Sequence, residues 1–74
     1  MSVMTGYELL LKRVKQHGTN QGHVILPVSW VSHEVAIICD NKEIIKSVKP
    51  YGNSGHIVVS GEHVGKDAHC IRLD

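Results

Sequence analysis

The feature that most constrains this chain is an internal repeat. When residues 12–40 are laid over residues 46–73, with Thr19 as one extra residue in the first copy, nine of 28 aligned positions are identical. The identities are Lys12/Lys46, Val14/Val48, Lys15/Lys49, Gly18/Gly52, Asn20/Asn53, Gly22/Gly55, His23/His56, Val31/Val64 and Ile38/Ile71. Two copies are fewer than a solenoid needs to bury a continuous core. We therefore predict two equivalent halves, residues 9–40 and 43–73, that are related by an approximate twofold axis.

The length of 74 residues predicts a single domain, residues 1–74, because chains divide into domains only at much larger sizes. With 42% hydrophobic and 20% charged residues, the composition is that of a globular chain and not of a disordered one. A half of about thirty residues cannot be stable alone, so the two halves are expected to share one core. There is no Phe and only one Trp. That core must therefore be built from Val, Ile and Leu, with Trp30 as an anchor. In the alignment of the two copies, Trp30 falls at the position of His63.

Each copy shows the same order of local signals, and most of them are typical of β-structure. An extended segment, a glycine-bracketed turn, a β-branched strand, one helical turn and a last strand follow one another. The expected ranges are 9–15, 18–22, 23–26 and 34–39 in the first copy, and 44–49, 52–55, 56–59 and 67–73 in the second. Pro27, the candidate N-cap Ser60 and the candidate stop Gly65 mark the helical turns. A polar turn at 40–42 joins the halves, and residues 1–5 are expected to be loose.

The basic residues fall at matching positions in the two copies. Five of the eight lie in the first extended segments: Lys12, Arg13, Lys15, Lys46 and Lys49. Each set stands beside a turn that contains short amide or hydroxyl side chains, which can contact phosphates or base edges of a duplex. The net charge of +1 gives no overall field to steer a polyanion. From the residues alone, a solvated charged face and a nucleic-acid contact both remain open.

The second copy contains the stretch VKPYGNSGHIVV, residues 48–59, followed by a Gly-Lys pair at 65–66. This stretch resembles the start of the AbrB and MazE type of swapped-hairpin DNA-binding domain. It is more similar still to a set of small, mostly archaeal, transposon-encoded proteins that resemble that superfamily. The first copy keeps Lys15, Gly18, Asn20, Gly22 and Pro27 of the pattern. The resemblance implies a mainly β, interleaved swapped-hairpin barrel, which two copies in one chain would form as a fused pseudo-dimer.

The resemblance also implies a DNA-binding site. Carried over by position, the DNA-facing residues are Lys15, Asn20 and Gln21 in the first copy and Lys49, Asn53 and Ser54 in the second. Two basic residues that are frequent in the family are replaced in each copy, by Gln16 and Ile25 and by Pro50 and Val58. Lys12, Arg13 and Lys46 are expected to supply part of the missing charge.

The predicted function is that of a DNA-binding regulator of transcription or a mobile-element protein that contacts duplex DNA. The alternative is an antitoxin-like module that binds a protein partner and has lost its DNA contacts. We expect either a monomeric pseudo-dimer or a weak homo-oligomer.

Six histidines raise the question of a metal site, because imidazole is a common ligand. None stands in a recognised spacing such as HExxH. His23 and His56 are repeat equivalents at the start of a strand, and this favours a structural role over a metal or cofactor site. The pair could approach closely in space, which would make the fold sensitive to pH near 6.

Cys39 and Cys70 lie in apolar, strand-like runs without CxxC spacing, and the N-terminus has no secretory signal. We expect both thiols to be reduced and buried, as inert core residues of a cytoplasmic protein that is not an enzyme. The apolar runs are far shorter than a membrane-spanning helix requires. No membrane partner is therefore predicted.

Overall fold

A computed structural model describes residues 8–74, so the expectation for residues 1–5 lies outside the described part of the chain. The fold is mainly β, with one short 3-10 turn in each half, as predicted. The strands are β1 (Glu8–Arg13), β2 (Lys15–His17), β3 (Gln21–Leu26), β4 (Glu34–Cys39), β5 (Lys42–Ser47), β6 (Lys49–Tyr51), β7 (Ser54–Ser60) and β8 (Asp67–Arg72). The 3-10 turns are Val28–Trp30, before β4, and Gly61–His63, before β8.

The strands form two four-stranded antiparallel sheets. Sheet A has the order β1-β8-β4-β5, and sheet B has the order β2-β3-β7-β6. In both sheets the central pair joins one strand from residues 9–40 with one from residues 43–73, namely β4 with β8 and β3 with β7. If each strand is replaced by its counterpart in the other half (β1 by β5, β2 by β6, β3 by β7 and β4 by β8, and the reverse), each sheet keeps the same strand order, read from its other edge. Neither half therefore has a sheet of its own.

Two buried valines mark the points where the chain passes from sheet A to sheet B. Continuous extended segments were expected at 9–15 and 44–49, but Val14 and Val48 interrupt them. The Val14 N–H donates to the carbonyl of Lys66 at 2.9 Å, and its carbonyl accepts from Gly65 at 2.8 Å. Val48 makes the corresponding bonds with His33 and Ser32, at 3.0 and 2.9 Å. Each valine is thus held by the loop that follows the 3-10 turn of the opposite half.

The two sheets are not closed into a barrel, and this corrects the expectation drawn from the resemblance. Sheet A ends at β1 and β5, and sheet B ends at β2 and β6. The physical reason lies at the crossing valines, whose backbone groups bond to loops and do not continue a ladder between the sheets. The result is two open sheets around one core.

The core lies between the sheets and draws on both halves. Its buried members are Val14, Val24, Leu26, Trp30, Val35, Ile37, Cys39, Val48, Ile57, Val59, Ala68 and Cys70. Trp30 is 2% exposed, which confirms it as a core anchor. Both cysteines are free and buried, as predicted, and burial raises the pKa of Cys70 to about 11. That thiol is therefore protonated and unreactive at neutral pH.

Local backbone signals explain the connections. Asp40 and Asn41 have φ values of 56° and 62°, which suit the two central positions of the tight hairpin between β4 and β5. Ser60 caps the second 3-10 turn by accepting from the Glu62 N–H, and Gly65, with φ of 88°, follows that turn. In residues 8–74 no helix has the length and apolar character that crossing a bilayer requires.

Candidate nucleic-acid interface

The outer face of sheet B holds two lysines and three histidines in a nearly symmetric array. Alternation along β3 and β7 turns Val24 and Ile57 toward the core and His23 and His56 to the opposite face. Lys15 on β2 lies opposite His23, and Lys49 on β6 lies opposite His56. The exposed lysines on the edge strands therefore flank the histidines on the central strands.

At the centre of this face, four rings form one cluster. The rings of His17 and His23 stack at a centroid distance of 4.4 Å, and those of Tyr51 and His56 stack at 4.3 Å. Between the two stacks, the Nδ1 atoms of His23 and His56 lie 3.0 Å apart. At this distance one ring donates a hydrogen bond and the other accepts, so the two rings cannot both be fully protonated without losing the bond.

The surroundings keep the central histidines neutral. Burial lowers the pKa of His23, and the nearby His17, His56 and Lys15 lower it further. Burial and then His17 lower the pKa of His56. The close approach that the repeat suggested for this pair is therefore present, and both groups resist taking up a proton. Lys15 and Lys49 therefore supply positive charge to this face, whereas a charged state of His23 and His56 is disfavoured.

Sheet B carries no carboxylate. Its four strands contain Lys15 and Lys49 as their charged residues and no Asp or Glu. The acidic residues lie in sheet A or its connections and at the C-terminus: Glu8, Glu34, Asp40, Glu43, Glu62, Asp67 and Asp74. Within residues 8–74, the strands of sheet B thus carry positive side chains and no negative ones.

The two amide-bearing turns lie at opposite ends of sheet B. Gln21 pairs with Ser60 at one end, whereas Leu26 pairs with Gly55 at the other. The β2–β3 turn with Asn20 is therefore separated from the β6–β7 turn with Asn53 by roughly 20 Å along the strands. Asn20, Gln21 and Asn53 are exposed, and Ser54 is partly buried. Gly18 and Gly52, with φ of 70° and 58°, make these turns tight.

The remaining predicted basic residues, Lys12, Arg13 and Lys46, belong to sheet A, and of these three only Lys46 lies beside Lys49. Arg13 forms an exposed ion pair with Asp67 at 3.4 Å. Lys12 is partly buried and lies opposite Ala68 of the neighbouring strand β8. Lys46 alone reaches sheet B, where its Nζ donates to the Val58 carbonyl at 2.9 Å. A cavity of about 150 Å³ opens beside it, lined by Lys46, Ser47, Lys49, His56, Ile57 and Val58.

A polar cluster at the other end of the core was not predicted from the sequence. His63 is 3% exposed, and its Nδ1 lies 3.1 Å from Asp40 Oδ2, which also accepts from Lys66 Nζ at 3.0 Å. The Lys66 and His63 hydrogen bonds lower the pKa of Asp40, and Asp40 raises the pKa of Lys66. The repeat places Trp30 opposite His63, but no spacing in the chain points to Asp40 as its partner. Only the hairpin after β4 brings them together.

Comparison with known proteins gives one partial match. A family described as "Putative transposon-encoded protein (DUF2080)" matches residues 41–74, which run from the β4–β5 hairpin to the C-terminus. No curated protein matches the chain. No solved structure matches it either. The second half of the chain is therefore similar to a family of transposon-encoded proteins.

Proposed function

We propose that this protein binds duplex DNA through the outer face of sheet B and its two turns. The observation that carries the proposal is the charge distribution: Lys15 and Lys49 lie in a sheet whose four strands contain no Asp or Glu. Phosphate contacts by lysines position a protein on a duplex, and exposed amides such as those of Asn20 and Asn53 can contact phosphates or base edges. The cavity beside Lys46 and Lys49 offers room for a phosphate group.

The proposal includes a fused pseudo-dimer of the swapped-hairpin class, resembling AbrB and MazE domains. Equivalent contacts support it. A Cβ on Gly22 would meet Val14 and Val64, and a Cβ on Gly55 would meet their repeat equivalents Val48 and Val31. Each glycine thus packs against one valine of its own half and one of the other. A cytoplasmic regulator of transcription or a mobile-element protein fits this arrangement, and the similarity to transposon-encoded proteins favours the mobile element.

The arrangement of the turns determines the expected footprint. An approximate dyad between His23 and His56 relates the Asn20 turn to the Asn53 turn, roughly 20 Å apart along the strands. At 3.4 Å per base pair, that separation covers about six base pairs of duplex. A binding site with approximate twofold symmetry is therefore expected. No catalytic step forms part of the proposal.

The test is duplex binding measured by fluorescence anisotropy across a salt titration. About four phosphate contacts predict a log-log slope of about −3.6, and the Lys15→Ala/Lys49→Ala variant should lower its magnitude by about 1.8. The matched control is Arg13→Ala/Lys42→Ala, which removes the same charge from sheet A and should leave the slope unchanged. No binding at low salt, or an equal loss of slope in both variants, contradicts the proposal.

A second candidate function, protein interaction without DNA binding, is favoured by the outer face of sheet A. One row across the sheet is Leu9, Ile71, Ala36 and Ile45, and Leu11 and Ile38 lie in the next row. Leu9, Leu11 and Ile45 are 60%, 61% and 54% exposed. A second copy of the chain would cover this apolar face. Two results together would favour this function over the first. The solution mass should rise to that of two chains with concentration in the unaltered protein but not in Leu11→Lys/Ile45→Lys, and the protein should not bind duplex DNA.

A further inference from the structure

We infer that His17, His23 and His56 form a binding site for a divalent transition-metal ion of the zinc type. One nitrogen from each ring lies within 4.8 Å of the other two. The Nδ1 atoms of His23 and His56 are 3.0 Å apart. In a tetrahedral zinc site with Zn–N bonds of 2.0–2.1 Å, two ligand nitrogens lie about 3.4 Å apart. The central pair therefore needs only a small opening to share one ion.

The donor atoms decide which metal fits. All three are imidazole nitrogens, and no Asp or Glu belongs to the strands of this sheet. Imidazole suits Zn²⁺, Cu²⁺ and Ni²⁺, whereas Mg²⁺ and Ca²⁺ require oxygen ligands. Three histidines leave a fourth coordination position for water or a ligand, as in other three-histidine zinc sites. The site therefore selects a transition metal over the alkaline-earth cations.

His17 must move to complete the site, and its position allows the movement. Its ring is stacked on His23 with an interplanar angle of 23°, so the two rings cannot direct lone pairs to one ion as they stand. His17 is only partly buried, at the end of β2. A rotation of the His17 side chain can therefore bring its nitrogen toward the central pair, while β3 and β7 hold His23 and His56.

A comparison with the second half shows that ring packing alone does not account for the histidine at position 17. The repeat equivalent of His17 is Tyr51, which stacks on His56 as His17 stacks on His23. A phenol at 51 satisfies the packing on that side, so packing does not require a third imidazole at 17. One metal per chain is expected, off the approximate dyad and toward His17.

A second group of metal-ligand atoms, Cys39, Asp40 and His63, is also closely spaced. Its Asp40 carboxylate is already bonded to Lys66 Nζ at 3.0 Å, and burial raises the pKa of the Cys39 thiol. A metal there would have to displace the lysine and deprotonate the Cys39 thiol, whose thiolate form is disfavoured by burial. The three-histidine site needs neither change and is the one proposed.

The test is calorimetric titration of Zn²⁺ into chelator-treated, tag-free full-length chain, with native mass spectrometry for stoichiometry. The expected result is one Zn²⁺ per chain, with binding weakened more than about tenfold in His23→Gln and in the partly exposed His17→Gln. His69→Gln, an exposed histidine on sheet A, is the matched control and should bind as the unaltered protein does. Far-UV circular dichroism checks that each variant is folded.

Several results would overturn the inference. They are the absence of Zn²⁺ binding by the folded chain, full retention of binding in both His17→Gln and His23→Gln, or loss of binding in His69→Gln. Loss of binding in Cys39→Ser with retention in His17→Gln would assign the metal to the other cluster. Substitution with Co²⁺ separates the two sites independently, because a thiolate ligand gives a sulfur-to-metal charge-transfer band that imidazole ligands do not give.

Discussion

Substituting Gly22 or Gly55 by alanine tests the interleaved packing most directly. A Cβ at Gly22 would lie 2.7 Å from Val14 Cγ1 and 2.8 Å from Val64 Cγ2. At Gly55 it would lie 2.5 Å from Val48 Cγ1 and 3.0 Å from Val31 Cγ2. Carbon atoms attract one another best at about 3.5–4.0 Å, so each new methyl must displace two valines. Valine side chains are stiff at χ1, so the displacement passes to the backbone.

The magnitude follows from overpacking and from the unfolded chain. Overpacking a core position costs about 1–3 kcal/mol. Neither glycine has a positive φ, so alanine can adopt the native backbone conformation. Because alanine also reduces the conformational entropy of the unfolded chain, it stabilises the fold by about 0.4–1 kcal/mol, which offsets part of this cost. The net loss expected is about 1–2 kcal/mol for each variant, which lowers the thermal midpoint of a domain of this size by about 4–16 °C. The two losses should be similar, because corresponding valines surround the two sites.

Thermal unfolding followed by circular dichroism measures the effect, and a double-mutant cycle identifies its cause. Val64→Ala is the partner for Gly22→Ala, since the smaller side chain makes room for the new methyl and the two changes should cost less together than their sum. Val28→Ala, which is 62% exposed and lies in the 3-10 turn beyond the other end of β3, serves as the additive control. If Gly22→Ala is neutral while Gly55→Ala unfolds the chain, the two halves do not pack equivalently and the reasoning fails.

Three further predictions concern stability. In metal-free protein the lowered pKa values of His23 and His56 mean that the unfolded chain binds more protons, so the unfolding midpoint should fall as pH decreases from 7 through 6.5 toward 5. Midpoints that stay constant from pH 5 to 8, or an unchanged pH dependence in His23→Gln/His56→Gln, contradict this. Asp40→Gly should lower the midpoint of urea unfolding, because buried His63 loses its partner. Asn41→Gly is the control, since it has the same left-handed backbone without a buried partner, and an equal effect in both would refute the role of the carboxylate. Gly65→Ala should cost about 1 kcal/mol, because φ of 88° disfavours a Cβ. A thermal midpoint equal to that of the unaltered protein would show that this loop adapts.

Much of the local structure could be predicted from the chain. The turns at Gly18, Gly52 and residues 40–42, the strands at 34–39 and the short helical turns follow from glycine, β-branched and capping residues. The breaks at Val14 and Val48 could not be predicted in this way, because an extended valine has the same local signal inside a strand and between two strands. Their position depends on hydrogen bonds to loops far away in the sequence.

The candidate site was predictable in its parts and not in its assembly. The matching lysines and amide turns were visible in the repeat, and so was the equivalence of His23 with His56 and of His17 with Tyr51. The separation of Arg13 from Lys15 was not visible, because it results from the chain changing sheets at Val14. Arg13 stays in sheet A, where it forms an ion pair with Asp67. The hydrogen bond between Asp40 and His63 likewise depends on the turn after β4 and the second 3-10 turn lying next to each other.

The amino-acid sequence alone determined the strand-rich composition, the recurring residue pattern and the places where the chain turns. The pattern is visible in the chain itself, and the other two depend on neighbouring residues and on short-range backbone preferences. The tertiary structure alone decided that each sheet takes its central strands from both halves, that the sheets stay open, and that three imidazoles meet on a sheet whose strands contain no Asp or Glu. The central strand pairings and the approach of His23 to His56 depend on contacts between residues about thirty or more positions apart. Such pairings are selected by burial of the shared core, which no local pattern encodes.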